Sequence, residues 1–345
     1  MGCVFEPLEK LLALLTHISL LGESLNVSSC MAEDLPMVYI GILCWNSAEE
    51  TLKCVDSIRK SSYVRHQIVV LDNGSCPEER EKLKDLDSVM LLQSDRNLGF
   101  AGGNNKIAQL ALDEKADFLW MVNSDASVER TAMQCLVEAA ECHDRAGIFS
   151  PLILNENDHD VQHALTLIST SEPSIKETKD IDEASSWQAE MPDQVVVWGT
   201  AMFVRCSLIE KIGLFDDGLF AYMEDFDFCV RAMTKGLRSQ LVPDARVYHH
   251  VHQGERKPHY YYYANRNSIL FWRKHKANVV GLLRVLKWRF AAAKRTVRHS
   301  VDPNVGKAVV GGVIDGLLSR GGEFPAKKRA TVDLITKVLR LGRLG

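Results

Sequence analysis

The stretch VYIGILC at residues 38–44 decides the fold class of this chain. It is short, apolar and rich in residues that favour strands, as expected of a strand buried on both faces of a parallel sheet. Similar runs recur downstream with helical patterns between them: strands at 67–71, 89–93 and 118–122, and helices at 48–60, 78–86 and 106–115. This alternation predicts an α/β fold with a Rossmann-like, mostly parallel central sheet and flanking helices.

Three polar, turn-rich segments follow predicted strands, at residues 72–75, 96–105 and 123–127. Ligands of open parallel sheets bind beyond the carboxyl ends of the strands, so we expect these segments to converge on one pocket. Residues 155–193 are polar and weakly patterned, and they predict a flexible loop or excursion. The remaining predicted elements are strands at 195–204, 239–242 and 246–250 and helices at 207–212 and 226–235.

The composition excludes some classes of protein. The chain has 345 residues and a formal net charge of −4, which argues against nucleic acid as a partner. Its nine cysteines are scattered without a CxxC pair, which indicates reduced thiols and no zinc site. The apolar run at 11–21 is too short to span a bilayer. It predicts an amphipathic helix that packs on the body or lies on a membrane.

Two acids at predicted strand ends are candidates for nucleotide binding. Asp72, in VVLDNGS at 69–75, could accept a hydrogen bond from a nucleoside base or a ribose hydroxyl, or it could cap its turn. Asp125 could ligate the hard divalent cation that accompanies a nucleoside diphosphate, or it could cap a helix. Between them, the glycine-rich segment 97–105 permits close backbone approach to a ligand. That segment lacks the GxGxxG pattern of dinucleotide-binding folds.

Two later clusters carry further candidate chemistry. Glu224, Asp225 and Asp227 lie within YMEDFD at 222–227, close to the predicted start of a helix. The helix terminus favours an ionised carboxylate and the neighbouring acids raise its proton affinity, which suits a general base. Simple helix capping is the alternative. The histidines of HHVH at 249–252 end a predicted strand, and each could be a metal ligand or a structural residue.

Taken in order, these stretches resemble glycosyltransferase family 2, which has the GT-A fold, and most closely its rhamnosyltransferase-like branch. The resemblance covers about residues 37–275 and is carried by ILCWNS (42–47), VVLDNGS (69–75), RNLGFAGGNN (96–105), MVNSDASV (121–128), WGTAMFVRCSLIEKIGLFDDGLFAYMEDFDFCVRA (198–232) and VPDARVYHH (242–250). It implies an inverting, metal-dependent transferase that moves a sugar, rhamnose as the first choice, from a nucleoside-diphosphate sugar to a hydroxyl of a glycan or lipid-linked acceptor in cell-surface polysaccharide synthesis. The alternative is a non-catalytic module on the same fold that binds a nucleotide sugar or a glycan.

The resemblance also implies roles for individual residues. Asp225 would be the catalytic base, with Glu224 supporting the acceptor. Asp125 would hold Mg²⁺ or Mn²⁺ together with His249, or with His250 if the register differs by one. The implied donor-binding residues are Asn46, Asp72, Asn73, Arg96, Asn97, Gly99, Gly102, Gly103, Asn123 and Asp125, and the implied acceptor-binding residues are Trp198, Gly199, Thr200 and Glu224. The implied donor is dTDP-rhamnose, with a UDP-sugar as the second choice.

We expect three regions along the chain. They are an N-terminal extension (1–36), a GT-A catalytic domain (37–275) with a nucleotide-sugar-binding half (37–150) and an acceptor-side half (151–275), and a basic helical C-terminal region (276–345). In the last region, Trp288 and other apolar residues alternate with lysine and arginine, which is typical of helices that lie on anionic membranes. A solvated helix packed on the body is the alternative. We therefore expect a cytoplasmic protein, either free or peripheral on the inner face of the cell membrane.

Overall fold

The computed structural model describes residues 35–341 except 85, 171, 251–255, 276–277, 301 and 326–329. The helix predicted at 11–21 and the candidate ligand His252 lie outside the described residues. The strands are β1 (Val38–Cys44), β2 (His66–Asn73), β3 (Met90–Ser94), β4 (Phe118–Asn123), β5 (Ala126–Val128), β6 (Ala146–Asn155), β7 (Val161–His163), β8 (Leu165–Ser169), β9 (Ser174–Thr178), β10 (Val195–Val196), β11 (Ala201–Arg205) and β12 (Arg238–His249). The helices are α1 (Ala48–Ile58), α2 (Pro77–Lys82), α3 (Gly99–Asp113), α4 (Ala132–Cys142), α5 (Ile181–Glu190), α6 (Cys206–Ile212), α7 (Glu224–Met233), α8 (Pro258–Lys274), α9 (Val279–His299), α10 (Pro303–Leu317) and α11 (Ala330–Leu341).

The central sheet has nine strands in the order β3-β2-β1-β4-β11-β6-β12-β5, and β7 pairs with β6. Strands β3, β2, β1 and β4 are parallel, whereas β11 runs antiparallel to both of its neighbours. Cys44 pairs with Asp72 and Leu43 pairs with Asn123, so the loops after β1, β2 and β4 leave the sheet at one edge. The predicted α/β class with a central sheet is confirmed.

Helices cover both faces of the sheet at β1. Ile40 and Ile42 are fully buried in a cluster with residues of α1 and α4, while Tyr39 belongs to the cluster that includes α3. Gly41 allows α3 to lie close, because a Cβ at this position would be 2.8 Å from Cγ2 of Ile107. Burial on both faces explains why the β1 run is continuously apolar instead of alternating.

The prediction of a flexible loop or excursion at 155–193 was wrong about the flexible loop. Strands β8, β9 and β10 form a separate three-stranded sheet, and α5 packs beside it. The sequence pattern is weak because α5 and β9 each bury only one residue fully, Ala184 and Thr178. The strand predicted at 195–204 is divided between β10 in this small sheet and β11 in the main one.

The glycine-rich segment 97–105 is mostly helical, because α3 begins at Gly99 instead of at the predicted residue 106. The first N–H groups of a helix need partners outside it. Oδ1 of Asn73 accepts the N–H of Leu98 at 3.0 Å, and Oδ1 of Asn97 accepts the N–H of Gly99 at 2.7 Å. One of these partners is distant in the sequence, so the local pattern does not reveal the helix start.

Helix α10, in the C-terminal part of the chain, packs closely on α8. A Cβ at Gly312 would lie 2.3 Å from the carbonyl oxygen of Tyr262, so only glycine allows this approach. The buried hydroxyl of Tyr262 donates a hydrogen bond to Asp315 of α10 at 2.8 Å. The predicted boundary between two regions at residue 275 stays a prediction, because α8 lies before it and α10, which lies after it, packs on α8. Within the described ranges, no helix combines the length and apolar character that a membrane span requires.

We expect Gly312→Ala to destabilise the protein by about 1–3 kcal/mol, because its methyl group would overlap the Tyr262 carbonyl. Gly311→Ala is the matched control, since a Cβ there would meet its nearest neighbour, Cδ2 of Tyr262, at 3.7 Å, an ordinary contact. The control should be neutral or stabilise by up to about 1 kcal/mol. Urea denaturation followed by circular dichroism measures both, and equal midpoints for the two variants would contradict this packing.

Candidate active site

The loops after β2 and β3 are joined by the side chain of Asn73, which is 1% exposed. Its Nδ2 donates to Oδ1 of Asn97 and to the carbonyl of Gly99, both at 3.1 Å. A Cβ at Gly74 would lie 2.4 Å from the carbonyl carbon of Arg96, so these two loops are in direct backbone contact. The Arg96 side chain itself is exposed. These contacts fix the relative positions of the loops.

The loop after β1 joins the same group of loops through Asn46. Its N–H donates to Oγ of Ser75 at 3.0 Å, and its Oδ1 accepts the N–H of Cys76 at 2.8 Å. The hydroxyls of Ser47 and Ser124 are 3.1 Å apart, which connects this loop to the one after β4. The polar strand ends therefore meet at one edge of the sheet, as the sequence predicts.

Asp72 is fully buried at this edge and is already paired within the protein. Its Oδ1 accepts the N–H of Ser75 at 2.9 Å, and its Oδ2 accepts from Nε of Arg80 at 2.7 Å. In this structure the carboxylate orders the loop after β2 and positions Arg80. Contact between Asp72 and a nucleoside stays a prediction.

The three glycines assigned to donor binding differ in what surrounds them. Gly99 has a φ of +75°, and a Cβ there would lie 2.4 Å from the carbonyl oxygen of Phe220. A Cβ at Gly103 would lie 2.4 Å from Cδ1 of Leu43 in β1. Gly102 meets only Cβ of Leu98, at 3.2 Å. Gly99 and Gly103 therefore have packing reasons to be glycine, and their role in donor binding stays a prediction.

Asp125 and His249 lie side by side, with Oδ1 of Asp125 3.2 Å from Nε2 of His249. On the other side of the ring, Nδ1 of His249 is 2.9 Å from Oε1 of Gln162. Nδ2 of Asn123 is 3.5 Å from the same Nε2. His250 is exposed, and its Nδ1 lies 3.5 Å from Glu156. No group of three or more histidine, cysteine or acidic side chains is arranged to hold a metal among the described residues.

Glu224 and Asp225 stand at the start of α7. Oδ2 of Asp225 accepts the N–H of Gly199 at 2.9 Å, and its Oδ1 accepts the N–H of Phe226 at 2.8 Å. Burial raises the pKa of Asp225 to about 6, although these two hydrogen bonds oppose the rise. Glu224 is 5% exposed, and burial followed by repulsion from Asp225 raises its pKa well above the usual range. Its Oε2 has no hydrogen-bond partner among the described residues.

Asp227, the third acid of the YMEDFD motif, belongs to a different network. It is fully buried and pairs with Arg231 at 2.9 Å, and its Oδ1 lies 2.8 Å from both Lys274 and His275. Burial alone would raise the pKa of Asp227, but the hydrogen bonds from His275 and Lys274 lower it to about 2. The sequence groups the three acids together, whereas the structure separates a buried ion cluster from a pair with raised pKa values.

A cavity of about 470 Å³ is lined by residues that adjoin both groups, the Asp125–His249 pair and Asp225: Asn155, Gln162, His163, Glu177, Thr178, Lys179 and Trp198. At one side, Gln162 contacts His249. At the other, Trp198 directly precedes Gly199, the partner of Asp225. The carboxylate of Glu177 is close enough to raise the pKa of Asp225.

Trp198 is held by an aromatic stack. Its ring lies 3.9 Å from that of the buried His163, with an angle of 14° between the planes. Nearby, Thr200 is 8% exposed, and its carbonyl accepts the N–H of Asn123 at 2.9 Å. The sequence pattern does not reveal Gln162, His163 and Glu177, because they lie in the weakly patterned segment 155–193.

Comparison of the sequence with models of known protein families identifies the family of this chain. Residues 39–213, just over half of the chain, match the model of glycosyl transferase family 2. The chain belongs to glycosyl transferase family 2. It is therefore a glycosyltransferase.

Several curated proteins are similar to this family 2 chain. The dTDP-rhamnosyl transferase RfbF of Shigella flexneri is 23% identical over 221 residues, which cover 60% of this chain and 71% of that protein. The rhamnosyltransferase WbbL of Escherichia coli K12 is 27% identical over 247 residues, which cover 64% of this chain and 86% of that protein. The N-acetylglucosaminyl-diphospho-decaprenol L-rhamnosyltransferase of Mycobacterium tuberculosis is 28% identical over 213 residues, covering 55% of this chain and 69% of that protein. The resemblance to the rhamnosyltransferase-like branch is confirmed.

Solved structures support the fold. The mannosyltransferase PcManGT of Pyrobaculum calidifontis, in complex with GDP-Man and Mn²⁺, matches with a TM-score of 0.54 and 13% identity, covering 84% of this chain and 89% of that one. GalNAc-T7 with UDP, GalNAc and Mn²⁺ matches with a TM-score of 0.54 and 16% identity, covering 83% of this chain and 56% of that one. Both likenesses concern the fold alone, and they confirm the GT-A architecture of this family 2 chain.

Proposed function

We propose that this chain is an inverting, metal-dependent glycosyltransferase that moves a sugar from a nucleoside-diphosphate sugar to a hydroxyl of a glycan or lipid-linked acceptor. The observation that carries the proposal is the placement of the Asp225 carboxylate at the start of α7, where it accepts two backbone N–H groups and burial raises its pKa. The names of the similar rhamnosyltransferases favour dTDP-rhamnose as donor, with UDP-sugars second, and a role in cell-surface polysaccharide synthesis.

Asp225 takes the proton of the acceptor hydroxyl in this proposal. A base with a pKa of about 6 is ionised at neutral pH and still binds a proton more readily than an ordinary aspartate. The N–H groups of Gly199 and Phe226 keep its carboxylate oriented as the hydroxyl oxygen attacks the anomeric carbon. Attack on the face opposite the leaving diphosphate inverts the configuration at that carbon.

Glu224 is the protonated partner of this base. Two adjacent buried carboxyl groups do not both ionise readily, and the pKa of Glu224 is the one raised well above its usual range. A neutral carboxyl can donate a hydrogen bond as well as accept one. Glu224 therefore supports the acceptor by hydrogen bonding, while Asp225 carries the negative charge.

The Asp125–His249 pair fits a divalent cation, Mg²⁺ or Mn²⁺. The amide oxygen Oε1 of Gln162 can only accept, so it accepts a hydrogen bond from Nδ1–H of His249, and the lone pair of Nε2 is directed at Asp125. A lone pair facing a carboxylate is unfavourable unless a cation or a proton lies between them. When bound, the cation would neutralise the negative charge of the leaving diphosphate. Mn²⁺ in two structural neighbours supports this assignment.

The loops that meet at the sheet edge bind the donor in this proposal, and the cavity beside Trp198 binds the acceptor. The donor residues are Asn46, Asp72, Asn73, Arg96, Asn97, Gly99, Gly102, Gly103, Asn123 and Asp125. The acceptor residues are Trp198, Gly199, Thr200 and Glu224. Trp198 offers an aromatic surface to a sugar ring, and the cavity volume of about 470 Å³ suits a sugar-sized ligand.

We propose that helix α9 docks on the inner face of the cell membrane. The protein would then be cytoplasmic and peripheral to that membrane. Val279, Leu283 and Trp288 are 76%, 61% and 55% exposed on it. Exposed basic residues stand among them: Arg284, Lys287, Lys294 and Arg295. Residues 279–299 contain no aspartate or glutamate. An exposed face with apolar and basic residues and without acids matches an anionic lipid surface.

Transfer should fall as the pH is lowered through about 6, because Asp225 must be ionised to accept the proton. Asp225→Asn should retain nucleotide binding and lose transfer by a factor of about 10² to 10⁴. Glu210→Gln, at an exposed acid of α6, is the control and should keep wild-type rates. Rates from pH 5 to 8 decide this, and similar activity of Asp225→Asn and wild type would exclude Asp225 as the base.

A thermal-shift screen with dTDP, UDP, GDP and CDP, each with and without Mn²⁺, tests the donor site. We expect one nucleotide to raise Tm only when Mn²⁺ is present, since a ligand that binds the native state stabilises it. Asp125→Ala and His249→Ala should abolish this dependence on Mn²⁺. His250→Ala changes the exposed neighbour and should retain it. Equal losses for the His249 and His250 variants would refute the assigned metal ligand.

Flotation with vesicles that contain anionic phosphatidylglycerol tests the proposed membrane surface. The wild type should float with them at physiological salt, and Leu283→Ser combined with Trp288→Ser should remain at the bottom of the gradient. Lys211→Gln, at an exposed base of α6, should float as the wild type does. Flotation of the double variant with wild-type efficiency would rule out α9 as the docking helix.

A further inference from the structure

Segment 218–223, which leads into Glu224 and Asp225, has an unusual backbone. Phe220, Tyr222 and Met223 have φ values of +65°, +69° and +76°. Residues other than glycine rarely adopt positive φ, because the conformation is strained and persists only where surrounding contacts enforce it. Something outside the segment must therefore hold it in place.

The amide of Asn267, in α8, contacts this segment at three points. Its Nδ2 lies 2.8 Å from the carbonyl oxygen of Leu219, 2.8 Å from that of Ala221 and 2.7 Å from that of Tyr222. Asn267 is 0% exposed, so water cannot replace it as the donor to these carbonyls. Two N–H bonds shared among three carbonyls fix the path of the backbone just before α7.

Arg266, the preceding residue of α8, extends the same contact. Its Nη2 donates to the carbonyls of Leu219 at 2.6 Å and Gly218 at 3.2 Å, and its Nε donates to Oδ1 of Asn267 at 2.7 Å. The last bond orients the amide so that Nδ2 points at the segment. The guanidinium lies over the rings of Tyr262 and Tyr263, at 5.3 and 5.0 Å from their centroids.

Helix α10 packs against the part of α8 that carries Arg266 and Asn267. A Cβ at Gly316 would lie 2.9 Å from the carbonyl oxygen of Arg266, so α10 packs directly against the backbone that carries the two side chains. On the far side, the carbonyl of Phe220 accepts the N–H of Ala101 in α3 at 3.1 Å. The segment is thus held between α8 and the helix that follows the donor-side loops.

We propose that Arg266 and Asn267 are positioning residues that hold segment 218–223 in its positive-φ path and so set Glu224 and Asp225 at the start of α7. This rests on the proposed function, since it assigns Asp225 the role of base. Asp225 accepts the N–H of Phe226 within its own helix, but the bond from the N–H of Gly199, 26 residues away, forms only while α7 begins at this place and angle. The C-terminal helices would therefore contribute to catalysis through α8.

The variants Asn267→Ala and Asn267→Ser test the proposal, the second being milder because serine retains one donor. Asn265→Ala is the matched control: it makes the same change at a buried asparagine of α8, whose Nδ2 donates to the carbonyl of Tyr261 in its own helix at 2.7 Å. Three measurements apply to each: amide hydrogen exchange of residues 218–226, transfer at saturating donor, and the pH profile of transfer. The nucleotide-induced rise in Tm serves as the check on the donor site.

We expect exchange in 218–226 to become about tenfold faster in Asn267→Ala, with a smaller change in Asn267→Ser and none in Asn265→Ala. Transfer should fall about tenfold or more with the nucleotide-induced rise in Tm retained, because displacement of a base lowers the rate more than binding. The acid limb should move from about pH 6 towards the ordinary aspartate range as Asp225 becomes solvated.

Unchanged transfer and an unchanged acid limb in folded Asn267→Ala would overturn the proposal, as would an equal loss of transfer in Asn265→Ala. A wild type without transfer to any acceptor would instead count against the proposed function. Hydrogen exchange then decides the positioning role alone. Faster exchange confined to 218–226 supports it, and a uniform change along the chain contradicts it.

Discussion

A hydrogen bond of 2.9 Å from the N–H of Gly199 to Oδ2 of Asp225 joins the parts of the protein that form the candidate active site. Gly199 lies between β10 of the small sheet and β11 of the main one, and Asp225 lies in the first turn of α7. Two opposing effects act on the pKa of this carboxylate. Burial raises the pKa of Asp225 and the N–H lowers it, so the carboxylate stays ionised at neutral pH while remaining basic.

Segment 155–193 supplies most of the cavity lining. Glu177 of β9 and Lys179, just after it, line the cavity, and β7 contributes Gln162, which contacts His249. One lining residue of the cavity therefore contacts His249, and another directly precedes Gly199, the partner of Asp225. In the proposed reaction, an acceptor bound there would meet the donor near the proposed base and the proposed cation site.

Sequence patterns predict what depends on neighbouring residues and miss what depends on distant ones. The β1 run and the polar strand ends follow from local composition, so the sheet and its functional edge could be predicted. The start of α3 could not, because a cap comes from Asn73 on another strand. The same reason hides the ion cluster of Asp227 with Lys274, and the contact of Asn267 with segment 218–223. Spacing reveals a group of acids, but only the fold separates them by burial.

The stereochemistry of the transfer product tests the central claim most directly. The chain would be incubated with Mn²⁺, dTDP-rhamnose or a UDP-sugar, and a glycan or lipid-linked acceptor, and the anomeric configuration of the product would be determined by nuclear magnetic resonance. We predict release of one nucleoside diphosphate for each new glycosidic bond, with the configuration inverted relative to the donor. A product with retained configuration would contradict the single attack assisted by Asp225, and absence of any sugar transfer with these donors would contradict the proposed function itself.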